Sequence, residues 1–221
     1  MSGSSERQLG LLLDYGGVLT PPVGQVFAVF EAEHDIPPGR TFELLIAASR
    51  DETGGLIGAI ERGELTVEDF DGHLRRLLHE AGHDGVEEAV VARMFAGLAP
   101  DGPLWGVARR ARAAGVRVGL LSNSWGTRMY PRDLLDDHFD VQVISGEVGL
   151  RKPEPAIYEL ALQRMGLPAE SIAFVDDLGG NLAPAERLGM RAILHTDHAT
   201  TIGVLEDHLG MSLCEDTQSG G

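Results

Sequence analysis

Five short apolar runs, each bounded by turn residues, constrain the fold of this chain more than any other feature. Strands of a parallel sheet have this continuous apolar character because helices cover both faces of such a sheet. The runs are LGLLLD (9–14), VRVGLLS (116–122), VQVIS (141–145), SIAFVD (171–176) and RAILHT (191–196). Segments with helical spacing lie between them, at 103–115, 131–139, 155–166 and 181–189. Strands that alternate with helices predict an α/β fold with a doubly wound parallel sheet.

Residues 21–100 interrupt this alternation. Apolar residues recur there at helical spacing, as in VEEAVVARMFAG, and no strand pattern occurs. We therefore expect a second, all-helical lobe inserted after the first strand, with prolines and glycines at its two ends acting as hinges. The expected boundaries are 9–20 and 101–213 for a catalytic core, 21–100 for the helical lobe, and 1–8 and 214–221 for flexible tails.

The charge and the cysteine content exclude several classes of partner and site. The chain has 34 acidic and 18 basic residues, a net charge of -16, so its field repels nucleic acid and anionic membranes. Its single cysteine, Cys214, excludes an internal disulfide framework and fits a reducing compartment. No apolar run approaches the ~20 residues of a membrane span, and the first residues lack the pattern of a signal peptide. We expect a cytoplasmic protein, and nothing in the sequence indicates its oligomeric state.

Polar residues stand where four of the predicted strands end. In an open α/β sheet the carboxyl ends of the strands face one crevice, where ligands bind. We therefore expect these side chains to form one site. They are Asp14 at the end of the first strand, Ser122 and Asn123 at the second, Lys152 after the third, and Asp176 and Asp177 at the fourth.

Four motifs around these positions resemble, in order and spacing, those of the haloacid dehalogenase-like (HAD) superfamily of hydrolases. They are LLLDYGGVLT, LLSNS, GLRKPEPAIY and AFVDDLGGN. The third and fourth look most similar to the N-terminal phosphatase domain of soluble epoxide hydrolases and to related bacterial sugar-phosphate phosphatases. The resemblance implies a Rossmann-like core and identifies the inserted helical lobe as the family's cap domain.

The resemblance further implies a phosphatase that acts on a small phosphorylated metabolite. Asp14 would attack phosphorus and form an aspartyl-phosphate, which water then hydrolyses. Several carboxylates around a dianionic phosphate repel one another unless a cation joins them, and oxygen-only ligands suit Mg²⁺. The family pattern places Mg²⁺ on Asp14, on the main-chain carbonyl of Gly16 and on Asp177.

The other motif residues have supporting roles in the same scheme. Lys152 would neutralise the phosphoryl oxygens and the nucleophile, while Ser122 and the main-chain amide of Asn123 would hold the transferring group. Asp176 either ligates the metal or orients its neighbour from behind the ligands. Asn181 either shapes the metal loop or merely begins the next helix.

Gly16 is the departure from the family pattern. The family's phosphatases usually carry an aspartate there that protonates the leaving alcohol and later activates water, and such assistance is worth about 10² to 10⁴ in rate. Acyl, aryl and anomeric sugar phosphates should suffer least, because their leaving groups need little proton donation. Otherwise a histidine of the cap must supply the acid. The candidates are His34, His73, His79 and His83, and the candidate specificity residues are Phe27, Phe30 and Arg50.

Two alternative functions stay open. A 2-haloacid dehalogenase also uses an aspartate nucleophile but needs neither a metal nor a general acid, so Gly16 is compatible with that function. Against it, Asp176 and Asp177 have no obvious role in an enzyme without a metal. A non-catalytic phosphate-binding or regulatory protein would also explain Gly16. Against that function, the chain retains Asp14, Lys152 and Asp177.

Overall fold

The computed structural model describes residues 8–49 and 55–213. Five strands form one parallel sheet in the order β3-β2-β1-β4-β5, which confirms the predicted fold class. They are β1 (Gly10–Leu13), β2 (Arg117–Ser122), β3 (Val141–Ile144), β4 (Ile172–Asp176) and β5 (Arg191–Leu194). Each lies within two residues of its predicted bounds. The central position of β1 places the end of β1 between those of β2 and β4.

Helices cover both faces of the sheet. They are α6 (Leu104–Ala113), α7 (Arg132–His138), α8 (Ser145–Val148), α9 (Pro155–Met165), α10 (Gly179–Arg187) and α11 (His198–Leu209). Leu11 and Leu13 pack in one buried apolar cluster with residues of α6, α7 and α11, while Leu12 packs in a second with residues of α9 and α10. Successive strand residues thus point to opposite, equally buried faces, which explains the continuous apolar runs.

The sequence analysis missed two of these helices. The short helix α8 follows β3 directly, and α11 follows β5 after a short loop. Helix α11 contains two threonines and a glycine, residues with weak helix propensity. It is stabilised by its N-cap residue Asp197, whose carboxylate accepts a hydrogen bond from Thr200 N at 2.8 Å, and by the burial of Leu205 against the sheet.

Between β1 and α6 the described residues form helices and no strand. These are α1 (Val23–Glu33), α2 (Arg40–Ala48), α3 (Gly55–Glu61), α4 (Val67–Glu80) and α5 (Val90–Met94), and their buried apolar residues form a third cluster of their own. We call the described residues of this stretch, 23–49 and 55–94, the helical segment. Its status as a separate cap domain, with boundaries at 21 and 100, stays a prediction.

Some expectations fall outside the described residues. They concern Arg50, Cys214 and all of the two predicted tails except Gln8, which is exposed. In the part of the chain that the structure describes, no helix has the length and apolar character that a membrane span requires.

Candidate active site

The ends of β1, β2 and β4 bring together the polar residues that the sequence analysis selected. Asp14 follows β1 directly, and its main-chain N–H extends the sheet by donating to Val175 O at 2.9 Å. The Lys152 ammonium lies between two carboxylates, 2.8 Å from Asp14 Oδ1 and 2.6 Å from Asp176 Oδ2. Lys152 is 1% exposed and Asp176 is fully buried. A lysine so placed is not a solvated surface residue, because both of its carboxylate partners are buried with it.

Asp176 is surrounded by donors from the protein itself. Its Oδ1 accepts hydrogen bonds from Leu178 N and Asn181 Nδ2, both at 2.9 Å, and its Oδ2 accepts from Lys152 and, at 3.1 Å, from Asn181 Nδ2. Asp176 thus holds Lys152 in place, a contact that the sequence did not predict, while both roles considered for Asp176 stay predictions. Asn181 lies in the first turn of α10, and its Nδ2 also donates to Asp176; its role in shaping a metal loop stays a prediction.

Three carboxylates converge at this edge of the sheet. Asp14, Asp176 and Asp177 each offer an oxygen, and these oxygens lie within 4.8 Å of one another. A set of hard oxygen donors at this spacing fits Mg²⁺. Both Asp176 oxygens accept hydrogen bonds from the protein, whereas on Asp14 the contacts of the described residues fall on Oδ1, so Asp14 and Asp177 have more capacity left for a cation.

The electrostatics also favour a cation. The pKa of Asp14 is raised to about 8. Burial is the main cause; Lys152 opposes the rise and Asp176 adds to it. Burial, together with Asp176, raises the pKa of Asp177 to about 6. One ammonium does not balance three carboxylates, so ionising all three without a further cation is unfavourable. A divalent ion would remove this penalty.

Gly17 is a site residue that the sequence analysis missed. Its φ of +76° is in the left-handed region, and a Cβ at this position would lie 2.2 Å from Asp177 Oδ2. Its N–H donates to Thr20 Oγ1 at 3.2 Å, which closes the turn after Asp14. Glycine is therefore required at position 17 for two reasons, the backbone conformation and the close approach of a carboxylate. The Gly-Gly pair was the available signal, but only Gly16 was considered.

Gly16 has a different environment. It is partly exposed, its φ lies outside the left-handed region, and a Cβ there would lie 3.1 Å from Val23 Cγ2 at the start of α1. The backbone therefore does not require glycine at position 16. A larger side chain would project toward the first residue of the helical segment.

Ser122 and Asn123 make contacts that their motif did not predict. Ser122 Oγ is 2.7 Å from the hydroxyl of Tyr130, a residue that the sequence analysis did not select. The Asn123 side chain brackets the main chain of Lys152, because its Oδ1 accepts from Lys152 N at 2.8 Å and its Nδ2 donates to Lys152 O at 3.0 Å. Asn123 thus links the end of β2 to the loop that carries the lysine.

The structure does not bring the candidate histidines into this site. His34 Nδ1 lies 2.9 Å from Phe30 O, and the exposed His79 pairs with Asp84. His73 lines a small cavity with Arg76 and Leu77, and neither it nor His83 forms a hydrogen bond or ion pair with the site residues in the described ranges. The specificity candidates Phe27 and Phe30 are buried in the apolar cluster of the helical segment.

Comparison with known protein families gives one match over most of the chain. The model described as haloacid dehalogenase-like hydrolase matches residues 10–189. Mouse acyl-CoA dehydrogenase family member 10 is 32% identical over 213 residues, which are 92% of this chain and 19% of that protein. Pig bifunctional epoxide hydrolase 2 is 27% identical over 92% of this chain and 39% of that protein. This chain therefore spans less than half the length of these two relatives.

A shorter relative and two solved structures extend the comparison. The putative phosphatase YhcW of Bacillus subtilis is 33% identical over 44% of this chain and 46% of that protein. A predicted HAD-like hydrolase from Porphyromonas gingivalis has a TM-score of 0.66 and 24% identity, covering 91% of this chain and 98% of that one. A HAD family enzyme from Bacteroides thetaiotaomicron, in complex with magnesium and inorganic phosphate, has a TM-score of 0.60 and 21% identity, covering 85% and 93%. At these identities the two structures show the fold alone.

Proposed function

This chain belongs to the haloacid dehalogenase-like hydrolases, and from that premise we propose that it is a Mg²⁺-dependent phosphatase acting on a small phosphorylated metabolite. The observation that carries the proposal is the Lys152 ammonium held between Asp14 and Asp176, with Asp177 completing a cluster of carboxylate oxygens. A curated relative named as a putative phosphatase supports the same reaction class. A cytoplasmic location is part of the proposal and rests on the sequence.

In this proposal Asp14, Asp177 and the main-chain carbonyl of Gly16 hold Mg²⁺. When bound, the ion supplies positive charge that lets a dianionic phosphate approach several carboxylates. The solved Bacteroides enzyme with this fold contains both magnesium and inorganic phosphate. Asp177 is the more accessible of the two ligating side chains, since it is only partly buried.

Asp14 is the proposed nucleophile. One of its oxygens bonds to phosphorus as the bond from phosphorus to the leaving oxygen breaks, which gives an aspartyl-phosphate and the departing alkoxide, phenoxide or carboxylate. Water then attacks the phosphorus of this intermediate, releasing orthophosphate and restoring the carboxylate. Lys152 is already within hydrogen-bonding distance of Asp14, so its charge can stabilise the phosphoryl oxygens during both displacements. Ser122 and the main-chain amide of Asn123 complete the phosphate site.

The leaving group receives no proton from position 16. Because general acid catalysis is worth about 10² to 10⁴ in rate, we propose that the preferred substrates are esters with good leaving groups, namely acyl, aryl or anomeric sugar phosphates. Among the described residues, His34 and His79 have partners within the helical segment, so the proposal assigns neither of them as a replacement acid. The substrate preference therefore follows from the chemistry of the leaving group.

The proposal is tested by phosphate release from p-nitrophenyl phosphate, with Mg²⁺ or with EDTA. Asp14→Asn and EDTA should each abolish release, because the first removes the nucleophile and the second removes the cation. Asp133→Asn, at an exposed position in α7, is the matched control and should retain full activity. Release that persists after Asp14→Asn or in EDTA would refute the proposal.

The two alternatives are distinguished in parallel assays. Gly16 is compatible with a dehalogenase, which would release chloride from 2-chloropropionate without Mg²⁺. A regulatory protein would bind orthophosphate with Mg²⁺ but release nothing from either substrate. The cluster of Asp14, Asp176 and Asp177 favours the phosphatase over the dehalogenase, because a dehalogenase needs no metal ion.

A further inference from the structure

Glu61, the last residue of α3, is a buried carboxylate outside the site described above. It is 8% exposed, and burial raises its pKa while Arg151 lowers it. Its Oε2 accepts hydrogen bonds from Arg151 Nε at 2.5 Å and from Asn123 Nδ2 at 3.2 Å, and a side-chain hydrogen bond from Trp125 also lowers its pKa. All three partners lie within three residues of Ser122 or Lys152. A carboxylate of the helical segment is thus satisfied by the two loops that carry the phosphate-site residues.

Asn123 connects Glu61 to the nucleophile. The amide group that donates to Glu61 also donates to Lys152 O, and the other end of the same side chain accepts from Lys152 N. Lys152 in turn contacts Asp14 at 2.8 Å. The contacts therefore lead from Glu61 through Asn123 to the Lys152 main chain, whose side chain forms the ion pair with Asp14.

The residues next to Glu61 hold the same loops. Arg62 Nη1 lies 2.9 Å from Glu154 Oε1. Two consecutive residues of the helical segment therefore form ion pairs with the loop around Lys152: Glu61 with Arg151, and Arg62 with Glu154. Gly63 lies so close to Gly146 that a Cβ on Gly63 would be 2.7 Å from Gly146 O. The turn after α3 thus contacts the chain on both sides of the lysine loop.

Trp125 makes the corresponding contact from the other loop. Its ring centroid lies 5.0 Å from that of Phe70 and 5.3 Å from that of Phe95, within the apolar cluster of the helical segment. Trp125 is only three residues after Ser122. The loop after β2 is therefore attached to the helical segment by an aromatic contact as well as by the hydrogen bond to Glu61.

We infer that Glu61 is a positioning residue for the phosphate site, which fixes Asn123 and the Lys152 loop so that the ammonium is held against the nucleophile. The inference rests on the proposed function for its catalytic consequence. Its physical basis is that removing the Glu61 charge leaves the Arg151 guanidinium without its buried carboxylate and weakens the hydrogen bond from Asn123 Nδ2 to position 61, so that Asn123 and the lysine loop are held less firmly. Since a misplacement of about 1 Å can cost on the order of 10²-fold in rate, a loosened lysine loop should reduce turnover.

The test compares Glu61→Gln with Glu64→Gln. Glu64 lies on the same turn but is exposed and pairs with Arg62, so it controls for loss of a negative charge from this turn. For Glu61→Gln we expect kcat for p-nitrophenyl phosphate with Mg²⁺ to fall at least about tenfold, while KM changes much less. Amide hydrogen exchange should accelerate at 122–126, at 150–152 and at Glu154, but not in β4. Glu64→Gln should match the unmodified chain in all of these measurements.

The outcomes separate this inference from the proposed function. Unchanged kcat and unchanged exchange in Glu61→Gln would overturn the inference and leave the phosphatase proposal standing. Exchange that accelerates throughout the sheet would also overturn it, because Glu61 would then be a general stabiliser. If the unmodified chain releases no phosphate, the proposed function fails, and selective acceleration at the two loops would still support positioning by Glu61. Glu61→Gln preserves the shape of the side chain, so it tests the charge without creating a cavity.

Discussion

Replacing Gly17 with alanine tests whether the turn after Asp14 exists to admit the Asp177 carboxylate. The new Cβ would lie 2.2 Å from Asp177 Oδ2, whereas Cβ atoms are essentially never found closer than 3.0 Å to another heavy atom. The carboxylate must therefore retreat by at least about 0.8 Å, or the turn must move by a similar distance. Either change moves the Asp177 carboxylate, a proposed Mg²⁺ ligand, relative to Asp14.

Two effects of different size should follow from this substitution. The left-handed backbone at φ +76° costs a residue other than glycine roughly 1–2 kcal/mol, which lowers the melting temperature by about 2 to 8 °C in a chain of this length. The displacement acts on catalysis, where an error of about 1 Å can cost on the order of 10²-fold. We therefore expect a modest loss of stability and a loss of phosphatase activity of roughly 100-fold.

Gly39→Ala separates these two effects. Gly39 has a φ of +80°, and a Cβ there would meet nothing within 4 Å, so alanine incurs the backbone cost without displacing a ligand. Both variants are compared by thermal melting with and without MgCl₂ and by phosphate release from p-nitrophenyl phosphate. Both should melt at lower temperature, but only Gly17→Ala should lose activity and the stabilisation by Mg²⁺. If Gly17→Ala keeps both, like Gly39→Ala, the space at position 17 does not serve the metal site.

Two further predictions concern proton transfer and the carboxylate cluster. Gly16→Asp should raise turnover of alkyl phosphates more than that of aryl phosphates. Gly16→Asn should raise neither, because the asparagine side chain has the shape of aspartate but carries no acidic proton. If Gly16→Asp changes turnover of both substrates equally, position 16 is not the place of a missing general acid. The pKa of Asp177 is raised from 3.8 to about 6 in the folded state, so the fold favours the protonated carboxyl. The stability that protonated Asp177 contributes is present below about pH 4 and is lost as the pH rises through 6. Mg²⁺ binds the ionised form, so MgCl₂ should raise the melting temperature more at pH 8 than at pH 5, and an equal gain at both would contradict this assignment.

The strands and the edge of the sheet that carries the site were predictable from the sequence. Continuous apolar runs are a local signal, and five of them alternating with helices leave few arrangements other than a parallel sheet. The resemblance to HAD hydrolases is confirmed by the family match over residues 10–189. The placement of Asp14, Ser122 and Asp176 at neighbouring strand ends follows from the topology, because parallel strands all present their carboxyl ends to the same side.

Other features were less accessible from the sequence. Helix α11 has weak helix formers and is held by a cap and by packing against the sheet. Gly17 was passed over because a Gly-Gly pair does not reveal which glycine faces a carboxylate. The histidines of the helical segment were equivalent candidates in the sequence, and only their positions in the fold separate them from the site.

The sequence by itself determined which chemical groups are available and at which edge of a sheet they stand, since both follow from residue identity and from the periodicity of neighbouring residues. Only the tertiary structure decided how those groups are paired: that Lys152 lies between Asp14 and Asp176, that Asn123 holds the lysine loop, and that Glu61 contacts Arg151, 90 positions away in the chain. The physical reason is that a hydrogen bond or ion pair depends on distances of a few ångströms between atoms. The packing of helices against the sheet sets those distances, and no local pattern encodes them.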